Sequence, residues 1–541
     1  MNQRKTSEAM GLMRPEPSIF VFHLRGNQRT SGELSRREGG KIFGSGSRAP
    51  IAITVLVKNQ NAAEHGRIWL HDIGDYLSQK EKLTIIRDFG SINGIAATSG
   101  WTQITPNEQN DWINQRDNSF AEFISIGDKK SGGDAIFEDY SLGIVTNRDA
   151  WCYNSSQQVV SQNVRSMIDF YNSQASLFSS RFGHLDKKLK ADQVDAFVDN
   201  DPTKISWTRG LKQALARERK FEFEPDSLVR SIYRPFQKQS LYFNKGMNEM
   251  VLKMPRIFPK NGAKNRAIMV KGNWRGDGHF ATMIYSVPCL QPDGGAQCFP
   301  IKLYQVIEDS AEDDLFGNST SIGSVKEGDA ITEAGLKHFQ DAYPGEKITK
   351  EDLFYYVYGI LHSEDYRTKY ADNLSKELPR IPRVKTAADF WAFSRAGREL
   401  GDLHVNYETV EPYPVTIKQG DLRLADIKNP EAFYRVTKWA FGKAGKEKDK
   451  TTVIYNANIT MQDVPLEAYD YVVNGKPALE WVMERQVVKT DKDSGIENDA
   501  NRYAIETMGN PAYPLELFQR VITVSLRTME IVRGLPKLEV M

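Results

Sequence analysis

Residues 18–58 read SIFVFHL (18–24), RGNQRTSGELSRREGGKIFGSGSR (25–48) and APIAITVLVK (49–58). The first segment is rich in β-branched and aromatic residues. The last is a mostly apolar run, so the pattern predicts two strands, the second able to be buried on both faces. Between them lie 24 residues, too many for a plain hairpin, carrying Gly26, Gly32, Gly39, Gly40, Gly44 and Gly46 amid five arginines. Long loops on rigid strands are where binding residues concentrate, and glycine lets backbone approach a ligand closely. A surface excursion without fixed structure is the plainer alternative.

Charge sharpens this reading. The whole chain, 541 residues with 71 Lys/Arg and 70 Asp/Glu, is nearly neutral at +1. Residues 1–60 nevertheless hold ten Lys/Arg against four Glu, a local excess of +6. A concentrated basic segment in a neutral protein fits a phosphate-contacting patch, although on charge alone a solvated loop is the plainer reading.

Outward from this block the chain is long enough for two to four domains. Residues 75–90 read as an amphipathic helix, and 158–182 as a packed one through Val164, Met167, Ile168 and Tyr171. Residues 184–220 are charged and helical in pattern, either a spacer arm or a solvent-exposed helical pair. From 228 the texture turns to short β-like runs: SIYRPF, QSLYFN, MVLKMPRIFP, NRAIMVKG, ATMIYSVPCL and CFPIKLY. After an acidic stretch at 308–330, helices are predicted at 332–342, 350–372 and 385–403. Short strands follow over 412–482, then a closing helix. The fold class expected is mixed, α/β at the start and α+β after it.

Several chemistries lack their motif. There is no GxxxxGK[ST] loop, HExxH, CxxC pair or GxSxG, so nucleotide hydrolysis, zinc binding and serine hydrolysis have no support. Catalytic, cofactor and metal residues are therefore expected to be none. Cys152, Cys289 and Cys298 are scattered, which points to a reducing cytoplasm. No apolar run approaches membrane-span length. Asn510-Pro511-Ala512-Tyr513 looks like an amino-methyltransferase signature, but Ala512 replaces its second proline and the segment opens a helix. Gly272–Phe280 (GNWRGDGHF) reads as a β-turn rather than a phosphate loop.

The block SIFVFHLRGNQRTSGELSRREGGKIFGSGSRAPIAITVLVKN resembles the final strands of the methyltransferase domain in type ISP restriction-modification enzymes. These are single chains with a nuclease, a translocating ATPase, an adenine-N6 methyltransferase and a target-recognition domain. The likeness continues in order through TNRDAWCYN, YRPFQKQSLYFN, EMVLKMPRIFP, CFPIKLY, YVYGILHSEDYRTKYADNLSKELPRIP, DLHVNYE, ALEWVMERQ and SGIENDANRYA. The resemblance implies that residues 1–75 are the C-terminal strands of an incomplete Rossmann-like methyltransferase sheet. Residues 76–227 would then be a mostly helical connector and the start of the specificity domain, and 228–541 the target-recognition domain, β-rich then helical. In the family the S-adenosylmethionine loop and the Asn-Pro-Pro-Tyr/Phe motif precede FVFHLRG. S-adenosylmethionine is thus expected for the complete enzyme and not for these residues.

The partner implied is double-stranded DNA, and no membrane. Candidate phosphate contacts in the basic loop are Arg25, Arg29, Arg36, Arg37, Lys41 and Arg48, with Asn27 and Gln28 able to bond bases or backbone. Candidate base readers after 228 are Arg234, Lys253, Arg256, Lys271 and Arg275, because Arg and amide side chains discriminate bases best. Two readings stay open. The chain is a DNA-binding recognition module (an orphan fragment included), or it completes a split methyltransferase by docking with a chain that carries the missing motifs, ATPase and nuclease. An exposed apolar face on the 18–24 and 49–58 strands would favour the second.

Overall fold

The computed structural model describes residues 16–28, 32–44, 47–129, 132–259, 264–271, 279–290, 295–306, 325–422 and 426–541. Arg29, Arg275, residues 272–278 of the glycine-rich turn and residues 308–324 of the acidic stretch lie outside them.

The chain opens with a four-stranded sheet in the order β2-β1-β3-β4, formed by β1 (Ser18–Arg25), β2 (Ile51–Val57), β3 (Ile68–Asp72) and β4 (Thr102–Ile104). Central β1 pairs antiparallel with β2 and parallel with β3. Its alternation fills two small cores. Ile19 and Val21 pack with Ile68 and Trp112 on one face; Phe22 and Leu24 pack with Ile73 and Ile95 on the other. Helix α1 (Gln79–Phe89) covers the second face. It starts at a capping box in which Ser78 and Glu81 bond each other's backbone amides, and it ends at left-handed Gly90.

The expectation that 49–58 would be buried on both faces is corrected. Among the described residues β2 has one neighbour, and Ile53, Val55, Leu56 and Val57 are 42, 38, 52 and 40% exposed. Apolar composition reports what a strand can bury, not whether a neighbour is present to bury it.

A third, continuous core runs from Phe120 to Val532 and joins several small sheets to a helical layer. Helix α2 (Gln157–Phe182) buries Val164, Met167, Ile168 and Tyr171, the stripe read from the sequence, and Val160 with them. The charged 184–220 segment forms Lys187–Phe197 and Arg209–Ala216. The runs after 228 become β5 (Leu228–Arg234), β6 (Gln237–Tyr242), β7 (Ala267–Val270) and β8 (Ala281–Ile284), followed by shorter strands. MVLKMPRIFP departs from the expected strand. Pro255 sits in the first turn of a short helix, Met254–Ile257, where a missing amide costs nothing.

The helical layer is built on α3 (Lys350–His362) and α4 (Ala387–Val405), which cross backbone to backbone. The expected single helix over 350–372 is three. Ser363 ends α3 and caps Glu364–Lys369, and Ala371–Leu374 follows. The closing helix α5 (Tyr513–Arg533) packs against α4. Just before it, the Asn510 side chain accepts from Ala512 N at 2.9 Å and donates to Glu516 at 3.0 Å, so its amide is occupied in starting that helix. No helix among the described residues is long and apolar enough to cross a membrane.

Candidate nucleic-acid interface

The basic loop leaves the end of β1 at a bulge between His23 and Arg25, with Arg25 at φ +55°. Its described residues are tied down rather than loose. Gly26 N donates to Glu38 O at 3.1 Å, Asn27 N to the Glu38 carboxylate at 2.9 Å, and the Gln28 amide to Gly39 O at 2.8 Å. Gly39 and Gly40 lie so close to α1 that a Cβ would meet Leu77 O at 2.2 Å and Gln79 N at 2.3 Å. Here the glycines serve close backbone approach.

The fixing point is Lys82. Buried among these residues, its ammonium donates to Glu38 O at 2.6 Å and Gly40 O at 2.9 Å. Burial lowers its pKa, against the pull of Glu38. Lys82→Met should leave both carbonyls without this donor, at about 1–3 kcal/mol of local stability. We expect proteolytic cleavage to move into residues 38–44 in that variant while the rest of the chain keeps its protection, as limited proteolysis would show.

The loop cations divide into two sets. Arg25 is turned inward: Nε donates to Asp72 at 2.8 Å, its Nη1 pairs with Asp75, and Arg37 reaches the same Asp75 at 3.0 Å. Burial opposes the Asp72 charge, but hydrogen bonds from Arg25, Gly74 N and His23 outweigh it and hold its pKa low. Outward lie Arg36, half-exposed Arg37, Lys41 at the rim, and Arg48, which also donates to Gln28 O at 3.0 Å.

A second basic cluster forms where three cations share one buried carboxylate. Lys253 Nζ lies 2.7 Å and Arg256 Nη1 3.2 Å from Asp139 Oδ2, and Lys129 Nζ lies 3.4 Å from Oδ1. Burial raises the Asp139 pKa, but hydrogen bonds from Lys253 and Tyr140 N, with the charges of Lys129 and Lys253, bring it below the usual range. One negative charge against three positive leaves a net +2 at a surface where the cations are 38–48% exposed. Lys253 and Arg256 were candidates from sequence; Lys129 and Asp139 were missed, although GDKKSGGD (127–134) carries a lysine pair among glycines.

Other candidates lie elsewhere. Arg234 is half-buried, stacked 4.0 Å from the Tyr233 ring centroid and bonded to Tyr233 O at 2.6 Å. Lys271 is buried.

The family model for the type ISP C-terminal specificity domain matches residues 135–517, most of the chain. The chain belongs to this family. Three solved structures are similar to the specificity-domain chain. A nuclease-deletion mutant of the type ISP restriction-modification enzyme LlaGI, in complex with a DNA substrate mimic, has a TM-score of 0.80 and 39% identity over 97% of this chain. The ATP-dependent type ISP enzyme LlaBIII bound to DNA gives 0.80 and 33% over 97%, and the DrdV–DNA complex 0.78 and 29% over 100%. The type ISP chain spans 44, 31 and 49% of these proteins, less than half of each. No curated protein matches it.

Proposed function

We propose that this chain is the DNA-binding, sequence-recognising portion of a type ISP restriction-modification system in the cytoplasm. In the complete enzyme it serves site-specific adenine-N6 methylation and restriction. The observation that carries the reading is the match to the specificity-domain model over 135–517, in a chain whose solved relatives were captured on DNA. Two surfaces suit phosphates: the loop bearing Arg36, Arg37, Lys41 and Arg48, and the Lys129–Lys253–Arg256 cluster. Such contacts fix register on the duplex; base edges supply the sequence. Arg25, Asn27 and Gln28 would act one step back, holding the loop in shape through Asp72, Asp75, Glu38 and Gly39.

In this reading residues 1–75 are the last strands of a Rossmann-like methyltransferase sheet, 76–227 the connector and 228–541 the recognition domain. Methylation requires the target base to leave the stack while another module grips the duplex, which is the role left to this chain. S-adenosylmethionine would supply the methyl group in the complete enzyme, and no residue here is assigned to it.

One observation favours the second reading, a subunit that completes a methyltransferase by docking. Among the described residues the strand β2 pairs with β1 alone, and it offers Ile53, Val55, Leu56 and Val57 to solvent. Unpaired, apolar edges are sites of strand addition.

The test is selection of purified chain on a library of random duplexes. A recognition module enriches one motif, and each base-pair change in that motif should weaken binding by about 1–3 kcal/mol. An enriched pool without a shared motif, from folded chain, would leave non-specific gripping only.

A further inference from the structure

Beyond the two basic surfaces, the molecule holds a polar pocket whose lining residues carry polar atoms without partners among the described residues. It lies between β6 and the hairpin Val488–Thr490/Glu497–Asp499, with a volume of about 270 Å³. Along β6 side chains alternate. Lys238 turns to one side and pairs with Glu408, while Gln237 and Gln239 both line the pocket. Gln239 is fully buried, and neither its Oε1 nor its Nε2 has a hydrogen-bond partner among the described residues. Gln237 spends its amide nitrogen on Arg485 O at 3.2 Å, leaving Oε1 without a partner there, and Arg485 Nε is likewise unpartnered.

A buried amide left unsatisfied costs about 1–3 kcal/mol, and an apolar residue of the same shape would avoid that cost. Three amide atoms and one guanidinium nitrogen without partners among the described residues, on three residues that line one pocket, therefore point to an occupant. The space equals that of about nine waters, well beyond what four atoms need. Its wall is aromatic. Tyr153 and Tyr233 have ring centroids 4.8 Å apart, and Tyr233 is oriented by donating to Asp149 at 3.1 Å. Lys489 stands at the exposed rim.

We propose that this pocket binds a nucleobase. A flat ring fits against tyrosine, and an edge carrying a donor beside an acceptor fits the Gln239 amide. Adenine offers that pair, and glutamine reads it bidentately. Arg485 Nε and Gln237 Oε1 add one donor and one acceptor, and Lys489 is placed to meet a phosphate. The base has two sources, a free nucleotide or a nucleotide extruded from bound duplex; the second rests on the DNA-binding reading above, and the first does not.

The experiment is saturation-transfer NMR and calorimetry on the full chain with adenosine, purine riboside (which lacks the exocyclic amine), cytidine and thymidine. Adenosine should bind at least about tenfold more tightly than purine riboside, because a site with buried polar groups rejects a ligand that leaves them unpaired. Gln239→Leu should abolish that preference and leave thermal stability unchanged or higher. A second variant, Lys489→Ala, lies at the exposed rim and should weaken adenosine monophosphate more than adenosine. No transfer to any nucleoside would overturn the proposal. So would a Gln239→Leu chain that loses stability, since the amide would then be holding structural water. Duplexes carrying 2-aminopurine next to adenine, where it reports the unstacking of its neighbour, separate the sources. A fluorescence rise on binding that adenosine reverses assigns an extruded base, and unchanged fluorescence with nucleoside binding intact assigns a free nucleotide.

Discussion

Replacing Gly397 by alanine should destabilise the fold by about 3 kcal/mol or more, the upper end for overpacking at a close approach. The cause is the crossing of α3 and α4. A Cβ at 397 would lie 1.9 Å from Tyr355 O and 2.8 Å from Gly359 N, and one at 359 would lie 2.2 Å from Phe393 O. Residue 355 faces 397 and 359 faces 393, so the helices run antiparallel with backbones touching on both sides. The obstructing atoms are backbone, which no rotamer change can move. Relief requires separating two helices that bury Phe354, Tyr356, Phe390 and Phe393 between them and their neighbours. Gly534→Ala, whose Cβ would meet nothing nearer than 3.4 Å, is the matched control. Urea melts should show a large fall in midpoint for Gly397→Ala and almost none for the control.

Acid should unfold the chain in two stages, the first set by histidines. His362 on α3 and His404 on α4 are buried, and His279 is half-buried. His362 Nδ1 bonds Tyr358 O at 2.9 Å, and His404 bridges Tyr358 OH at 2.6 Å and Thr528 at 3.0 Å. The half-buried Arg367, bonded to His279 O at 3.0 Å, adds positive charge, while Tyr471 stacks on His404. Burial first, then the Arg367 charge, brings His362 down to about 4, and burial pushes His279 and His404 well below their ordinary value. Above about pH 6.5 both folded and unfolded states are neutral at these sites, and no stability is lost. Between about 6.5 and 4 the unfolded chain takes up protons that the folded chain refuses, so stability falls as pH falls. For His362 alone the loss is on the order of 3 kcal/mol. Asp72, Asp111 and Asp139, all with lowered pKa, contribute in a lower window, below the usual carboxylate range. Denaturant melts from pH 7 to 4 should show a steep decline that becomes shallower in His362→Gln. An unchanged slope in that variant would remove His362 from the account.

Local pattern made much of the fold legible. The stripe through Val164, Met167, Ile168 and Tyr171 can only be satisfied by a helix packed on one side, and that is how α2 lies. Edge position is different. β1 and β2 are both apolar, yet among the described residues β1 has two neighbours and β2 one, and pairing is decided by residues far along the chain, such as Ile68–Asp72 of β3. The candidate interface shows the same division. Charge density located the loop, but the inward turn of Arg25 depends on Asp72 and Asp75, nearly 50 residues further on. The Lys129–Lys253–Arg256 cluster closes around Asp139 across more than 110 residues, so no window of sequence contains it. Lys82 looks from sequence like one more solvent-facing lysine on an amphipathic helix; only the carbonyls of Glu38 and Gly40 above it draw it inward.

The most direct measurement of DNA gripping is a salt titration of the chain binding random-sequence duplex, repeated with Arg36, Arg37, Lys41 and Arg48 all changed to alanine. Log K against log salt should fall with a slope of roughly −4 or steeper for the natural chain, and the variant should be shallower by about 3 to 4, near 0.9 for each phosphate that is no longer neutralised. An equal slope in the variant would remove the loop from the interface, and absence of binding at low salt by well-folded chain would contradict the DNA-gripping account as a whole.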